Sequence, residues 1–419
     1  METRHIDEKS QTGGMAVSRF LHPYARPTRT DFVTIVRGKG ARVYDSAGKE
    51  YVDGMASLWY MNVGYGRDEI VDAVADQMRR LPAYNAFDPF TNEPAERLAD
   101  RLAALAPVDD PRIFLTCDGS EAVDSAIKLA RIAHVQAGQP ERTLIVSRGL
   151  AYHGVTYGGL TAQGLPANQA GFGPLVADFV NLPQNDLEAM ATLFAEQGDR
   201  VAAVLTEPIQ GAGGVYPPPE GYLQGLRKLC DQHGAFLVMD EVICGFGRLG
   251  HWFGTERFGV RPDLITFAKG VSSGYIPVGG VVVGSAVRQP LEADASFVLR
   301  HGHTYSGHAS AAAGALAALD ITANESLLDR AKHVGARLAD GLHSLAADGL
   351  VRDVRGDGAV WAAALAPEQQ DATAVRDRML GLGVITRAIG TDTLSFCPPL
   401  VITDEEIDRI VDGLAAALR

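Results

Sequence analysis

Short apolar runs alternate along the chain with stretches in which apolar residues recur every three or four positions. The runs at 112–116, 144–147, 201–206, 236–239, 264–267 and 280–283 are almost continuously apolar. They predict strands covered on both faces, because a strand with one wet face alternates instead. Residues 120–136, 187–196 and 221–233 carry the helical period. Strands alternating with helices predict an α/β fold built on a mostly parallel, doubly wound sheet.

The flanks read differently. Residues 1–30 are polar and suggest a mobile or partner-wrapping arm. β-like pieces at 33–37 and 41–44 precede the turn Asp45-Ser46-Ala47-Gly48. The stretch DGMASLWYMNVGYG, rich in glycine and aromatics, suits a pocket-lining loop. Asp68 is expected to cap a helix with Ile70, Val74 and Met78 on its apolar face. A second helix, 93–105, has Leu98, Leu102 and Leu105 as its stripe. Beyond His308 come a small-residue helix from 309 to 318, a helical segment reaching 346, and short strands at 360–365 and 394–397. A capping box, Thr403 and Glu406, opens the last helix ahead of Ile407, Ile410, Val411 and Leu414. The 419 residues are long for one core. The expected division is 1–65 as arm and part of a small domain, 66–308 as a large domain and 309–419 as the C-terminal small domain.

Composition changes this picture little. Hydrophobic residues at 46% and charged residues at 21% are ordinary for a globular chain. A net charge of −13 disfavours nucleic acid as a partner. No stretch approaches the roughly 20 apolar residues of a membrane helix, and the charged start METRHIDEKSQTGG is unlike a signal peptide. Cys117, Cys230, Cys244 and Cys397 form no CxxC pair and sit among apolar neighbours. They read as reduced, buried thiols of a cytoplasmic protein.

Two of the apolar runs end in reactive side chains. Ala235 to Met239 delivers Asp240 and Glu241; Pro262 to Ala268 delivers Lys269. In open α/β sheets ligands sit at the carboxyl ends of the strands. An Asp and a Lys there, 269 − 240 = 29 residues apart, suit pyridoxal 5'-phosphate (PLP). Its aldehyde needs a lysine amine for a Schiff base, and its ring nitrogen needs a carboxylate to keep a proton. CDGSEAVDSAIKLAR places Gly119 and Ser120 at a strand-to-helix junction, where free amides and the helix dipole attract phosphate; a plain Ser N-cap is the alternative. His301, His303 and His308 cluster in HGHTYSGH, but no carboxylate or Cys completes a metal set, so no metal is expected.

DEVICGFGR and FAKG, with GSEA, YHG, TEPIQG and HTYSGH in order elsewhere, resemble the class III PLP-dependent aminotransferases. The pattern is nearest the ω-amino-acid and amine:pyruvate branch. The resemblance implies a fold-type-I homodimer moving an amino group from an amine or ω-amino acid to a keto acid such as pyruvate. It makes Gly119 and Ser120 phosphate ligands and lays Tyr152 on the cofactor ring. It gives Asp240 the ring N–H, packs Val242 on the opposite ring face and makes Lys269 the covalent anchor. Glu207 would lie near the cofactor, pairing with a substrate-side Arg or only bracing the site; His153 would tune the site or be a structural histidine. Thr304 would reach the phosphate bound by the neighbouring subunit. Trp59 and Phe87 would form apolar walls, and Arg387 would take the substrate carboxylate from a mobile loop bracketed by Gly383 and Gly390. Ile243 stands where ornithine- and 4-aminobutyrate-type relatives carry Gln. A diaminopelargonate-type or aminosugar transaminase and an aminomutase are the alternatives within the family. A silent binding protein on this fold conflicts with the presence of both Asp240 and Lys269, and a nicotinamide dehydrogenase lacks its GxGxxG.

Overall fold

The computed structural model describes residues 18–366 and 371–419. Its centre is a seven-stranded sheet in the spatial order Arg112–Thr116, Gly279–Val283, Leu264–Phe267, Phe236–Asp240, Val201–Thr206, Leu144–Arg148, Phe179–Leu182. All pairings are parallel except those of Gly279–Val283, which runs antiparallel to both neighbours. The link from Leu264–Phe267 to Gly279–Val283 is only residues 268–278, too short for a crossover helix, so the chain turns back beside the strand it has left.

The period of two shows in the two cores that the sheet separates. Val146, Val204, Leu237, Met239, Ile265, Phe267 and Val282 face one. Ile145, Ala203, Leu205, Val238, Leu264 and Val281 face the other, against Ala122, Val123, Ala126, Ile127, Ala130 and Ala133 of helix Gly119–Gln136. Alanines on that helix let it lie close to the sheet. Covering both faces explains why the strands read as unbroken apolar runs.

A second region joins the two ends of the chain. Ile35–Lys39, Arg42–Asp45 and Glu50–Asp53 form a sheet completed by Val384–Ile385, which pairs in parallel with Glu50–Asp53. Asp353–Asp357, Val360–Ala364, Thr393–Phe396 and Arg387–Ile389 form another. Val52, Leu338, Phe396 and Ile410 share one core between these sheets and the C-terminal helices. The last helix, Asp404–Leu418, has its Thr403–Glu406 capping box.

The structure adds strands and moves some boundaries. Glu50–Asp53 and the edge strand Phe179–Leu182 were not expected; each is short and carries polar residues. Helix Asp68–Arg80 is entered through Arg67, with no side-chain cap, so Asp68 is its first residue and acts only on the helix dipole. Met78 is exposed, while Ile70 is buried; the stripe instead meets helix Ala309–Asn324, where Val74 Cγ2 lies 2.9 Å from where a Cβ on Gly314 would stand. Cys117 is only partly buried, unlike the other three thiols. The part of the expected arm before Ser18 lies outside the described residues.

Arg248 ties the regions together. It is fully buried; its guanidinium donates to Pro398 O (2.7 Å), Ala359 O (3.3 Å) and Asn62 Oδ1. Arg248→Met leaves these acceptors without a donor, at roughly 1–3 kcal/mol for each buried unsatisfied group. Chemical denaturation should show Arg248→Met losing about 3 kcal/mol or more. Arg337→Ala, which removes the exposed pair with Asp408, should lose far less, because solvent screens an exposed ion pair; equal losses would contradict the bracing role of Arg248.

Candidate active site

The parallel strands end along one edge of the sheet, above a cavity of about 450 Å³. Each element contributes there what its last residues carry. Phe236–Asp240 brings Asp240 and then Val242 and Ile243; Leu264–Phe267 is followed by Ala268 and Lys269; Val201–Thr206 by Glu207; Leu144–Arg148 by Tyr152, His153 and Gly154. Gly119 and Ser120 open the long helix on the same wall.

Asp240 is nearly buried and held from three sides. His153 Nδ1 donates to its Oδ2 at 2.8 Å; Thr266 Oγ1 and the Val242 amide donate to Oδ1, each at 3.1 Å. A carboxylate accepts only, so His153 carries its proton on Nδ1 in this bond; its Nε2 is buried without a partner. Asp240 Oδ2 keeps acceptor capacity on the cavity side.

Glu207 accepts from the Tyr152 amide (3.2 Å) and the Gly211 amide (2.9 Å). Burial, with Asp240 nearby, pushes its carboxyl up to about 7, against the opposing pull of His153. Glu241, next to Asp240, turns the other way. It accepts from the Gly254 (2.7 Å) and Thr255 (2.6 Å) amides, and burial pushes it up to about 8. It is a brace beneath the site. Lys269 is half-buried and follows its strand with a left-handed φ of 49°. Burial lowers the pKa of its amine, Arg387 adds to this, and Asp240 and Glu207 oppose it.

The helix N-terminus is open. Asp118, not Ser120, is the cap; its side chain accepts from the Glu121 amide. The Gly119 and Ser120 amides have no hydrogen-bond partner among the described residues. Glycine at 119 leaves room for Val242, since a Cβ would stand 2.9 Å from Val242 Cγ1 and force a shift. The Ser120 hydroxyl accepts from the Val155 amide at 3.1 Å.

The other expected residues lie elsewhere. Trp59 is buried, 3% exposed, in a cluster with Met55, Ile209, Ile243 and Cys244, and does not line the cavity. Phe87 and Thr304 are exposed on the surface and also do not line it. Arg387 starts strand Arg387–Ile389, paired with Ser395, so it does not ride on a mobile loop. Its charge nonetheless acts on Lys269 and Tyr152, and its guanidinium has no ion pair among the described residues. Tyr60, Cys117, Ile276, Pro277 and Val278 line the cavity without having been singled out. Only Tyr60, inside the aromatic, glycine-rich stretch, had a signal in the sequence.

Comparison with known proteins decides the family. The model of the class-III aminotransferases matches residues 24–418. The chain belongs to the class-III aminotransferases. It is 37% identical to the putrescine–pyruvate aminotransferase of Pseudomonas aeruginosa over 406 residues, covering 90% of this chain and 88% of the relative. It is 36% identical to the β-alanine–pyruvate aminotransferase of the same organism over 411 residues, covering 92% and 91%. An amine transaminase from an uncultivated Pseudomonas species, solved in a PLP-bound form, superposes with a TM-score of 0.91 at 33% identity, covering 97% of this chain and 99% of that one. This class-III aminotransferase therefore presents its family's sheet with an Asp, a Lys and an open helix end around one cavity.

The raised glutamates give a pH signature. Glu207 and Glu241 hold protons in the folded chain up to about 7 and about 8, against 4.5 when unperturbed. Between those values the folded state binds more protons than the unfolded one, so their contribution to stability falls as pH rises. Glu241→Gln removes one of these titrations. From about pH 5.5 to about pH 8.5 its denaturation midpoint should fall less than that of the parent; parallel curves would contradict the assignment.

Proposed function

We propose that the cavity holds PLP and that the protein transfers an amino group from a primary amine or ω-amino acid to a keto acid such as pyruvate. The observation that carries this reading is that Lys269, Asp240 and the unpartnered Gly119 and Ser120 amides line the same cavity. The residues fit the group. The two amides and the helix dipole suit a phosphate dianion. The free acceptor capacity of Asp240 suits a ring N–H, and Tyr152 and Val242 suit the two ring faces. Related transaminases named for putrescine or β-alanine with pyruvate support this substrate class.

When bound, PLP supplies an electron sink for the carbon that carries the amine. The chain's own residues do the rest. Lys269 Nζ is the covalent anchor and, once displaced, the group that would take the proton from the donor carbon and deliver it to the cofactor carbon. Its lowered pKa keeps a share of the amine neutral, which both tasks need. Asp240 keeps a proton on the ring nitrogen, and His153 fixes the Asp240 carboxylate in place. Glu207 sits behind them as a carboxyl whose charge burial suppresses.

The active form in this reading is a homodimer, with Thr304 reaching the phosphate site of the partner subunit and Phe87 closing the partner's cavity. Its support is an exposed apolar surface: Tyr84, Phe87 and Phe90 lie in one segment, Val298, Leu299 and Tyr305 in another. The two segments adjoin, since Phe87 comes within 3.6 Å of a Cβ position on Gly302. Exposed apolar residues grouped in this way suit a protein–protein contact. Trp59 would act by backing Ile243, in whose cluster it packs. No helix among the described residues is long and apolar enough to cross a membrane. The cysteines are all free, which suits the reducing cytoplasm.

Arg387 is proposed to take the carboxylate of the keto acid. Its guanidinium is largely buried and lacks an ion pair, a costly state that a carboxylate relieves. Arg387→Ala should therefore lower kcat/KM for pyruvate by about 1.5–3 kcal/mol more than kcat/KM for an apolar aldehyde acceptor. The assay is amine consumption with each acceptor and one donor. Equal losses would make Arg387 a structural residue.

A further inference from the structure

We propose that Ser125 is a positioning residue for the neighbouring subunit: through His301 and His303 it latches residues 294–306 to helix Gly119–Gln136 and so sets Thr304 for the partner's phosphate site. The proposal rests on the homodimer reading above and names what holds the contributed loop.

Residues 294–306 run between helices Ser285–Glu292 and Ala309–Asn324 without regular structure. Val298, Leu299, Arg300, Thr304 and Tyr305 are exposed. Such a loop is costly to order at an interface unless something already fixes it. Among the described residues, its hydrogen bonds stay within the segment and the turn that follows it, except those of the His301 and His303 rings. Both rings meet Ser125 Oγ, His301 Nε2 at 2.9 Å and His303 Nε2 at 3.3 Å.

The donors and acceptors fall into one order. Lys128 Nζ lies 2.9 Å from His301 Nδ1. An ammonium only donates, so Nδ1 accepts and His301 carries its proton on Nε2, which donates to Ser125 Oγ. The Ser125 hydroxyl is then free to donate to His303 Nε2. That leaves the His303 proton on Nδ1, which faces Glu121 Oε1 at 3.6 Å. Glu121 Oε2 in turn accepts from the Cys117 amide (2.8 Å), at the entry to the open helix end. The chain of bonds needs a neutral His301. Burial, then Lys128 and His303, hold its ring down to about 4 against the pull of Asp124. Phe114 of the edge strand lies flat against the same ring, with centroids 5.0 Å apart and planes at 12°. Ser125 is 0% exposed, beyond the reach of a substrate, so its hydroxyl joins the two rings and does no chemistry.

The test reads PLP affinity in heterodimers, purified with two different tags, by titrating the visible absorbance of cofactor held on Lys269. One subunit carries Lys269→Ala, so only the other gives the signal. In the first heterodimer Ser125→Ala is placed in the Lys269→Ala subunit, whose loop serves the reporting site. In the second it is placed in the reporting subunit itself. The first should bind PLP about fivefold or more weakly than the heterodimer without Ser125→Ala, the scale of one lost hydrogen bond. The second should match that control. Lys128→Met, at an exposed position, frees His301 to turn and should repeat the pattern without touching the helix interior. Weakening in the second alone, in both alike or in neither would overturn the proposal and leave the transaminase reading standing. A parent that sediments as a monomer while forming alanine from an amine and pyruvate would overturn the proposal together with the homodimer reading. A parent that binds no PLP would overturn the transaminase reading as well.

Discussion

Desolvation of charge at the carboxyl edge of the sheet is the constraint on which the rest of this structure depends. The strands that end there are covered on both faces, so their last residues leave the strand in a water-poor layer. Charged groups survive in such a layer only with hydrogen-bond partners or with shifted protonation. Asp240 takes the first course through His153, Thr266 and the Val242 amide. Glu207, Glu241 and Lys269 take the second. The same burial that makes these groups costly makes them reactive: a carboxylate that keeps acceptor capacity and an amine drawn toward neutrality are what proton transfer at a carbon centre requires.

The surrounding architecture supports that edge. Helix Gly119–Gln136 lies close to the sheet because its inner face is alanine, and so its open N-terminus meets the strand ends. Arg248 and Asn62 link the loop after Glu50–Asp53 to the C-terminal region. Residues from the first fifth of the chain can therefore wall a cavity formed by its middle.

Much of this was legible in the sequence because it is carried by short-range signals. Six strands of the large sheet were marked by apolar runs, and Asp240 and Lys269 followed two of those runs directly. The capping box at Thr403 and Glu406 was local too. What escaped depended on distant partners. Phe179–Leu182 is a strand only because Leu144–Arg148 lies beside it. Glu241 is a brace only because the Gly254 and Thr255 amides fold back to it. Trp59 was the aromatic expected at the pocket, but its neighbour Tyr60 lines the cavity while Trp59 packs into a core cluster. The turn that leads to them is held by the carboxylate of Asp53, a residue outside the aromatic stretch's own pattern, through the Met55 and Ser57 amides.

The proposed chemistry stands or falls with Lys269 as the amine that binds the cofactor at the end of a buried strand. Borohydride reduction of the PLP-treated protein, followed by peptide mass mapping, tests it most directly. One stable pyridoxyl adduct is expected, on the peptide containing Lys269, and none on that peptide in Lys269→Ala. An adduct distributed over surface lysines, with the Lys269 peptide unmodified, would contradict it.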